Sequence, residues 1–218
     1  MIIGIAGRTG VGKDTLALAI KQVGIESYGI EWEIRRFSAV TKSIVARMLG
    51  ISEELMEDRG IKEMLLADAL RKNAAEIKQG RELLLSSMAL DKVLELKFYK
   101  YNTVKGLLND FYKLMESEFD QNILILNELI YLRENENKNI IYTDIRDHQK
   151  IELIKDLKGL NIMVSRNNVP KLKMENMVDF LAVDMYIVDK KLEDLDLVAR
   201  TINIAASTTN EYDNKSKI

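Results

Sequence analysis

The 218 residues read as an α/β chain, a parallel sheet covered by helices on both faces and interrupted by a helical insertion. Three observations predict this. Short apolar runs such as Ile2-Ile3-Gly4-Ile5-Ala6 and Ile140-Ile141-Tyr142-Thr143 have the continuity of strands buried on both sides. Segments with apolar residues at three- and four-residue spacing stand between them. The stretch from Ser52 to about Arg133 keeps helical spacing, with few glycines and no proline.

Taken in order, the first strand ends in glycines and leads into the helical pattern Leu16, Leu18, Ala19, Ile20, Val23. A second strand is expected at Glu33–Phe37, then a helix through Thr41–Met48 closed by Gly50. In the middle stretch Ile61, Met64, Leu65, Ala69, Leu70 and Ile77 mark helices, with Thr103–Glu116 and Phe119–Arg133 the clearest. The polar run Glu134–Asn139 is a loop before strand Ile140–Thr143. A helix from about His148 to Lys158 is expected to stop at Gly159, followed by strand Asn161–Ser165. Arg166–Met177 is polar, contains Pro170 and reads as a mobile loop. Strand Met185–Val188 precedes a last helix from about Leu192 to Ala205, and Ser207–Ile218 has the composition of a disordered end. On this reading residues 1–206 form a single domain, with 51–135 as the insertion, 166–178 as a candidate lid loop and 207–218 as a tail.

Composition narrows the chemistry. Hydrophobic residues make up 47% and charged residues 30%, yet the net charge is only −2, so no whole-molecule attraction for nucleic acid or membrane is expected. A single His excludes a multi-histidine metal site, and the absence of Cys excludes disulfides and thiolate ligands. The apolar start is short and lacks a preceding basic segment, and no run approaches the ~18 apolar residues of a membrane span. A soluble, cytoplasmic protein is the expectation.

The segment Gly7-Arg8-Thr9-Gly10-Val11-Gly12-Lys13-Asp14-Thr15 fits the phosphate-loop pattern G-x-x-x-x-G-K-[ST] except at Asp14. Glycines at 7, 10 and 12 let successive N–H groups converge on phosphate oxygens, and the following helix points its positive end at the same anion. Lys13 is placed to bridge the terminal phosphates. A carboxylate beside a polyphosphate is repulsive unless a cation lies between them, so Asp14 or Thr15 is expected to help hold magnesium, directly or through water. The bland alternative is a glycine-rich turn without a ligand.

Strand Ile140–Thr143 delivers Asp144 at its C-terminal end, where the ligand crevice of an open α/β sheet lies. Asp144 could hold magnesium through water or orient the acceptor oxygen, and Arg146 could neutralise a phosphate. The competing reading makes Asp144 a helix cap and Arg146 a solvated side chain. Of Arg35 and Arg36, strand alternation sends one to the crevice and the other to the surface.

Gly-Lys-Asp-Thr at 12–15, Phe37-Ser38-Ala39-Val40-Thr41-Lys42 and Asp144-Ile145-Arg146 together resemble the deoxynucleoside monophosphate kinases of bacteriophages. More loosely they are similar to the animal-type phosphomevalonate kinases. Thr103-Val104-Lys105-x-Leu107-Leu108, Phe119-Asp120, Arg166 and Asp184–Val188 follow in the family's order. The resemblance implies a P-loop NTPase core, ATP as donor, magnesium, and a nucleoside monophosphate as the small-molecule acceptor. It assigns Lys13, Asp14 and Thr15 to ATP and magnesium, and Lys42, Asp144 and Arg146 to the acceptor and transferring phosphates; with the rest of the loop from Gly7 to Thr15 and Arg166 these make the candidate ATP site, and with Arg36 and Lys105 the candidate acceptor site. Lys13, Asp144 and Arg146 would be catalytic, and Asp14, Thr15 and Asp144 would serve the metal. The chain departs from the family's pattern at Lys105, Gln121, Lys150 and Leu172, all of which fall where acceptor binding would be decided.

Other features have plainer readings. His148 suits a solvated or capping place at a helix start, and Lys171 and Lys173 suit a lid or a solvated loop. Phe98, Tyr99 and Tyr101 suit core between helices. A GTPase is set aside, since Asp156-Leu157-Lys158-Gly159 sits at a helix end and Asn137-Lys138-Asn139-Ile140 lacks the guanine-reading Asp. A kinase of another phosphorylated metabolite and a non-catalytic ATP-binding module remain beside the nucleotide kinase. The long insertion could also supply a homodimer face.

Overall fold

Strand and helix alternate along the chain because the apolar runs can be buried only when amphipathic helices cover them. In the computed structural model, residues 1–49, 52–54, 56, 59–64, 103–118, 122–166, 183–188 and 192–215 are described. They form β1 (Ile2–Ala6), α1 (Lys13–Val23), β2 (Trp32–Arg35), α2 (Ala39–Leu49), α3 (Arg59–Glu63), α4 (Val104–Glu118) and α5 (Ile123–Glu134). After these come β3 (Asn139–Ile145), α6 (His148–Asp156), β4 (Leu160–Ser165), β5 (Met185–Val188) and α7 (Leu192–Lys215). Two compact units divide the chain: Met1–Phe37 with Glu128–Ile218, and Ser38–Asn127.

The first unit holds a five-stranded sheet in the order β2-β3-β1-β4-β5. Every pairing in it is parallel. Side chains alternate across a strand, so Ile3 and Ile5 of β1 share one face and Gly4 takes the other. Ile3 and Ile5 are fully buried in a cluster with Leu16 and Ile20 of α1 and Ala199 and Ile202 of α7. Buried Asn203 ties this layer together, accepting from Trp32 Nε1 at 2.8 Å and donating to the Ile20 carbonyl at 3.0 Å. On the opposite face α6 lies so close that a Cβ at Gly4 would stand 3.1 Å from Ile154 Cγ1. The helices therefore cover both faces, as the sequence predicts.

The chain leaves β1 towards β2 on one side and leaves β3 towards β4 on the other, although β1 and β3 are neighbours. Their carboxyl ends form the switch point of the sheet, where open α/β sheets bind ligands.

The second unit contains α2, α3 and α4. Val45, Ala46, Met56, Val104 and Leu107 form its buried cluster, with Met64, Leu108 and Phe111 packed against it.

Several boundaries differ from expectation for local reasons. The second strand ends at Arg35 rather than Phe37, because the Phe37 N–H is captured by Asp144 Oδ1 at 3.0 Å. Phe37 then stacks on Tyr142 with centroids 4.5 Å apart. The helix before β4 ends at Asp156, and the left-handed residue that turns the chain is Lys158, with φ 54°, not Gly159. Gly159 is required for a different reason, since a Cβ there would lie 2.7 Å from the Ile2 carbonyl oxygen. In the segment from Ser207, α7 continues to Lys215. Ser207 and Thr208 hydroxyls both donate to the Ile204 carbonyl at 2.8 Å, which satisfies them inside the helix.

Candidate functional site

The glycine-rich segment forms the turn between β1 and α1. Gly7, Gly10 and Gly12 take φ of 137°, 85° and 101°, backbone that side chains rarely adopt. Gly7 is constrained twice over, because a Cβ there would also come within 2.2 Å of the Val164 carbonyl oxygen. Val11 is buried and anchors the loop, while Thr9 and Gly10 are exposed at its tip and Arg8 is half-buried. Gly12 caps α1 without any side-chain acceptor, so the first-turn N–H groups face the loop. Lys13 is buried, and its ammonium donates to the carbonyls of Gly7 and Arg8, both at 2.8 Å. The cation thus folds back to the start of its own loop. Arg166 leaves the end of β4 with its guanidinium over Gly12, 3.4 Å from where a Cβ would stand.

Asp14 and Thr15 diverge although they are adjacent. Thr15 lines an open groove with Leu195 and Asp196 of α7. Asp14 instead accepts from Arg36 Nη2 at 2.9 Å, and Arg36 Nε donates to Thr143 Oγ1 at 3.2 Å. Burial pushes the Asp14 carboxyl up, but the Arg36 hydrogen bond and charge, a Thr143 hydrogen bond and the Lys13 charge hold it below the usual range. Asp14 therefore stays an anion, which is the state a divalent cation needs.

The strand opposite supplies the next residues through an irregularity. Gly4 pairs with Tyr142 and Ala6 with Ile145, so β3 carries one residue more than β1 across this interval. The bulge falls on Thr143 and Asp144 and re-aims both at the crevice end of the sheet. Thr143 is buried beside Arg36 and Asp14, a role that strand alternation hides. Asp144 binds the Phe37 N–H and does not cap α6, whose cap is Asp147. Arg146 follows as an exposed side chain with no ion pair among the described residues. His148 is exposed on the first turn of α6. Lys150 is buried, with its ammonium 2.5 Å from the Asp147 carboxylate and 5.7 Å from the Phe37 ring centre.

Arg35 corrects the expectation that one of the two arginines is simply surface. It makes a bidentate pair with Glu128, from Nε at 2.8 Å and Nη2 at 3.0 Å, and it lies 3.3 Å over the Tyr131 ring. Glu128 is fully buried and also accepts from Tyr142 Oη at 2.9 Å. Burial first, and then the Glu128 charge and hydrogen bond, push the Tyr142 phenol well above its ordinary value. An acid inside the apolar run Ile123–Leu132 is the signal that could have found this pair.

Lys42 lies on α2 and Lys105 on α4, both in the second unit, where Lys105 donates to Glu63 at 2.7 Å. Gln121, Leu172, Lys171, Lys173, Phe98, Tyr99, Tyr101 and the lid segment beyond Arg166 lie outside the described residues.

Among the described residues no group of three or more His, Cys, Asp or Glu gathers as a metal site, and no helix is long and apolar enough to cross a membrane. A magnesium ion carried largely by nucleotide phosphates and water needs only one or two protein carboxylates, and Asp14 beside Thr143 offers hard oxygen donors of that kind. Compared with protein-family models and with curated proteins, the chain matches none.

Proposed function

We propose that this chain is a phosphotransferase that moves the terminal phosphoryl group of ATP to the phosphate of a nucleoside monophosphate, leaving ADP and the diphosphate. The observation that carries the reading is the loop between β1 and α1, with its three left-handed glycines and the Lys13 ammonium folded onto its carbonyls. Such a loop presents backbone N–H groups, a helix N-terminus and a mobile cation to one anion. Its place at the switch point beside β3 supports a second substrate at the same end of the sheet.

Each residue then has a role. Lys13 leaves two neutral carbonyls for the donor's terminal phosphates and follows the charge as the bond to the leaving group lengthens. Arg166, over Gly12, adds a guanidinium on the donor side. Asp14, and Asp144 through water, would hold magnesium, which when bound offsets phosphate charge and orients the terminal phosphoryl group. Asp144 also fixes the backbone that carries Arg36. Arg36 and Arg146 are the cations of this unit for the acceptor's phosphate, whose approach to ATP is otherwise opposed by like charge. A cytoplasmic location and the absence of nucleic-acid or membrane partners belong to the same proposal. The insertion is the face a homodimer could use.

The test is a screen of the ribo- and deoxynucleoside monophosphates with magnesium ATP, followed by chromatography. The expected result is ADP and one nucleoside diphosphate in equal amounts. ADP binding with no product from any monophosphate would leave a non-catalytic module, and a product only from another phosphorylated metabolite would move the acceptor class.

A further inference from the structure

Arg36 holds a position that neither substrate alone explains. Its guanidinium could lie free in the crevice, yet it is spent on the one carboxylate of the phosphate loop, with Thr143 as a second anchor. We propose that Asp14 exchanges Arg36 for magnesium when the donor binds, and that Arg36, so released, receives the phosphate of the acceptor. This rests on the reading of Gly7–Thr15 as the donor's phosphate loop, and it makes the order of events a property of one ion pair.

Three features make the exchange physically reasonable. The Asp14 side chain is 63% exposed against 28% for Arg36, so a hydrated ion reaches the carboxylate from solvent without opening the core. The arm that carries Arg36 is fixed at its base, by the Phe37 N–H on Asp144 and by Arg35 on Glu128, while the guanidinium meets Asp14 and Thr143 through their side chains. Its release therefore needs rotation about side-chain bonds and no movement of the sheet. Finally, a guanidinium and a divalent ion on one small carboxylate repel each other at contact distance, so binding of the ion weakens the hold on Arg36. The displaced cation then stands close to the transferring phosphate without the Asp14 carboxylate, and the acceptor's phosphate is the anion that takes that carboxylate's place.

The consequence is a coupling. Magnesium at Asp14 and a phosphate at Arg36 favour each other, and by reciprocity each strengthens the other by the same factor. An acceptor that arrives first must break the Asp14 pair itself and so binds more weakly.

The experiment uses the full chain with ADP, magnesium or chelator, and Arg Nε–H resonances in 15N-labelled protein. The Arg36 signal is identified by its loss in Arg36→Gln. It should shift when ADP is added with magnesium and stay in place when ADP is added in chelator. By calorimetry, the ratio of ADP affinity with magnesium to that in chelator should rise about fivefold or more in Arg36→Gln, because the competing cation is gone, and stay near wild type in Arg36→Lys. Titrating the four deoxynucleoside monophosphates in turn should show tighter binding in the presence of magnesium ADP for wild type, and no such gain for Arg36→Gln. An Arg36 signal that does not move on binding magnesium ADP, or a ratio in Arg36→Gln equal to the wild-type one, overturns the exchange while leaving the donor site standing. No ADP binding under either condition overturns the phosphate-loop reading itself, and this inference with it.

Discussion

Lys13 gives its ammonium protons to two carbonyl oxygens of its own loop, each at 2.8 Å. Carbonyls are dipoles, whereas a phosphate oxygen carries charge and makes the stronger hydrogen bond. Exchange of one for the other is downhill, and it is most favourable when charge has built up in the transition state. Lys13→Ala should therefore lower kcat by about a hundredfold or more and weaken ADP binding much less. Initial rates and ADP calorimetry on the same preparation check this, and wild-type turnover would remove Lys13 from the chemistry. The fold should survive, since the loop's backbone angles come from its glycines. Most of this loop was legible in the sequence, because glycine spacing and a following Lys encode a backbone shape directly. Thr143 was not, because the bulge in β3 between Tyr142 and Ile145 breaks the alternation from which its direction would be read. The divergence of Asp14 from Thr15 was also hidden, since it depends on where Arg36 and α7 come to lie.

Elements are joined in the first unit by a polar contact that periodicity cannot reveal. Glu128 of α5 is fully buried and receives both Arg35 of β2 and Tyr142 of β3, so three elements meet on one carboxylate. Removing that carboxylate leaves a largely buried guanidinium and a buried phenol without their acceptor, which costs more than the pair's net worth. Glu128→Ala should cost about 3 kcal/mol in chemical denaturation, and Glu128→Gln somewhat less, because an amide oxygen still accepts. A loss within experimental error for Glu128→Ala would show that water reaches Arg35 freely. The base of the arm carrying Arg36 would loosen as well. Helix α5 itself was legible as an apolar run, with its start expected at Phe119 and found at Ile123. Its partner was not legible, because sequence shows a lone acid in a helix and not the arginine across from it. The turn after α6 shows the same limit. A glycine near a helix end predicts a left-handed stop, but here Lys158 takes that conformation and Gly159 is kept for close packing on Ile2.

At the scale of the whole molecule, alternating strands and helices predict a parallel sheet, and the sheet is parallel throughout. Strand order lay beyond that pattern, because the alternation of strands and helices does not say which strands become neighbours. The order β2-β3-β1-β4-β5 puts the glycine-rich loop and Asp144 on adjacent strands, and that adjacency turns two separate motifs into one crevice. The net charge of −2 bears on what enters it. A polyanion gains nothing from the field of the whole protein, so on the proposed reading its recognition falls to Lys13, Arg36, Arg146 and Arg166, with magnesium as the further cation. A short nucleotide can satisfy such a compact set, whereas a duplex needs phosphate contacts spread along its length. ADP at about a hundredfold above its dissociation constant should then stabilise the chain by about 2.7 kcal/mol. For a protein of this size that raises the thermal midpoint by about 5 °C or more. Chelator should remove most of the gain, because the phosphates then lose the divalent ion that offsets their charge while Arg36 stays on Asp14, and duplex DNA at equal phosphate concentration should give no shift. Melting curves in these three conditions separate the alternatives. A shift with DNA that fades as salt rises would mean that the crevice reads a phosphate backbone, and an equal shift with ADP in chelator would mean that the protein's own cations hold the donor's phosphates without magnesium.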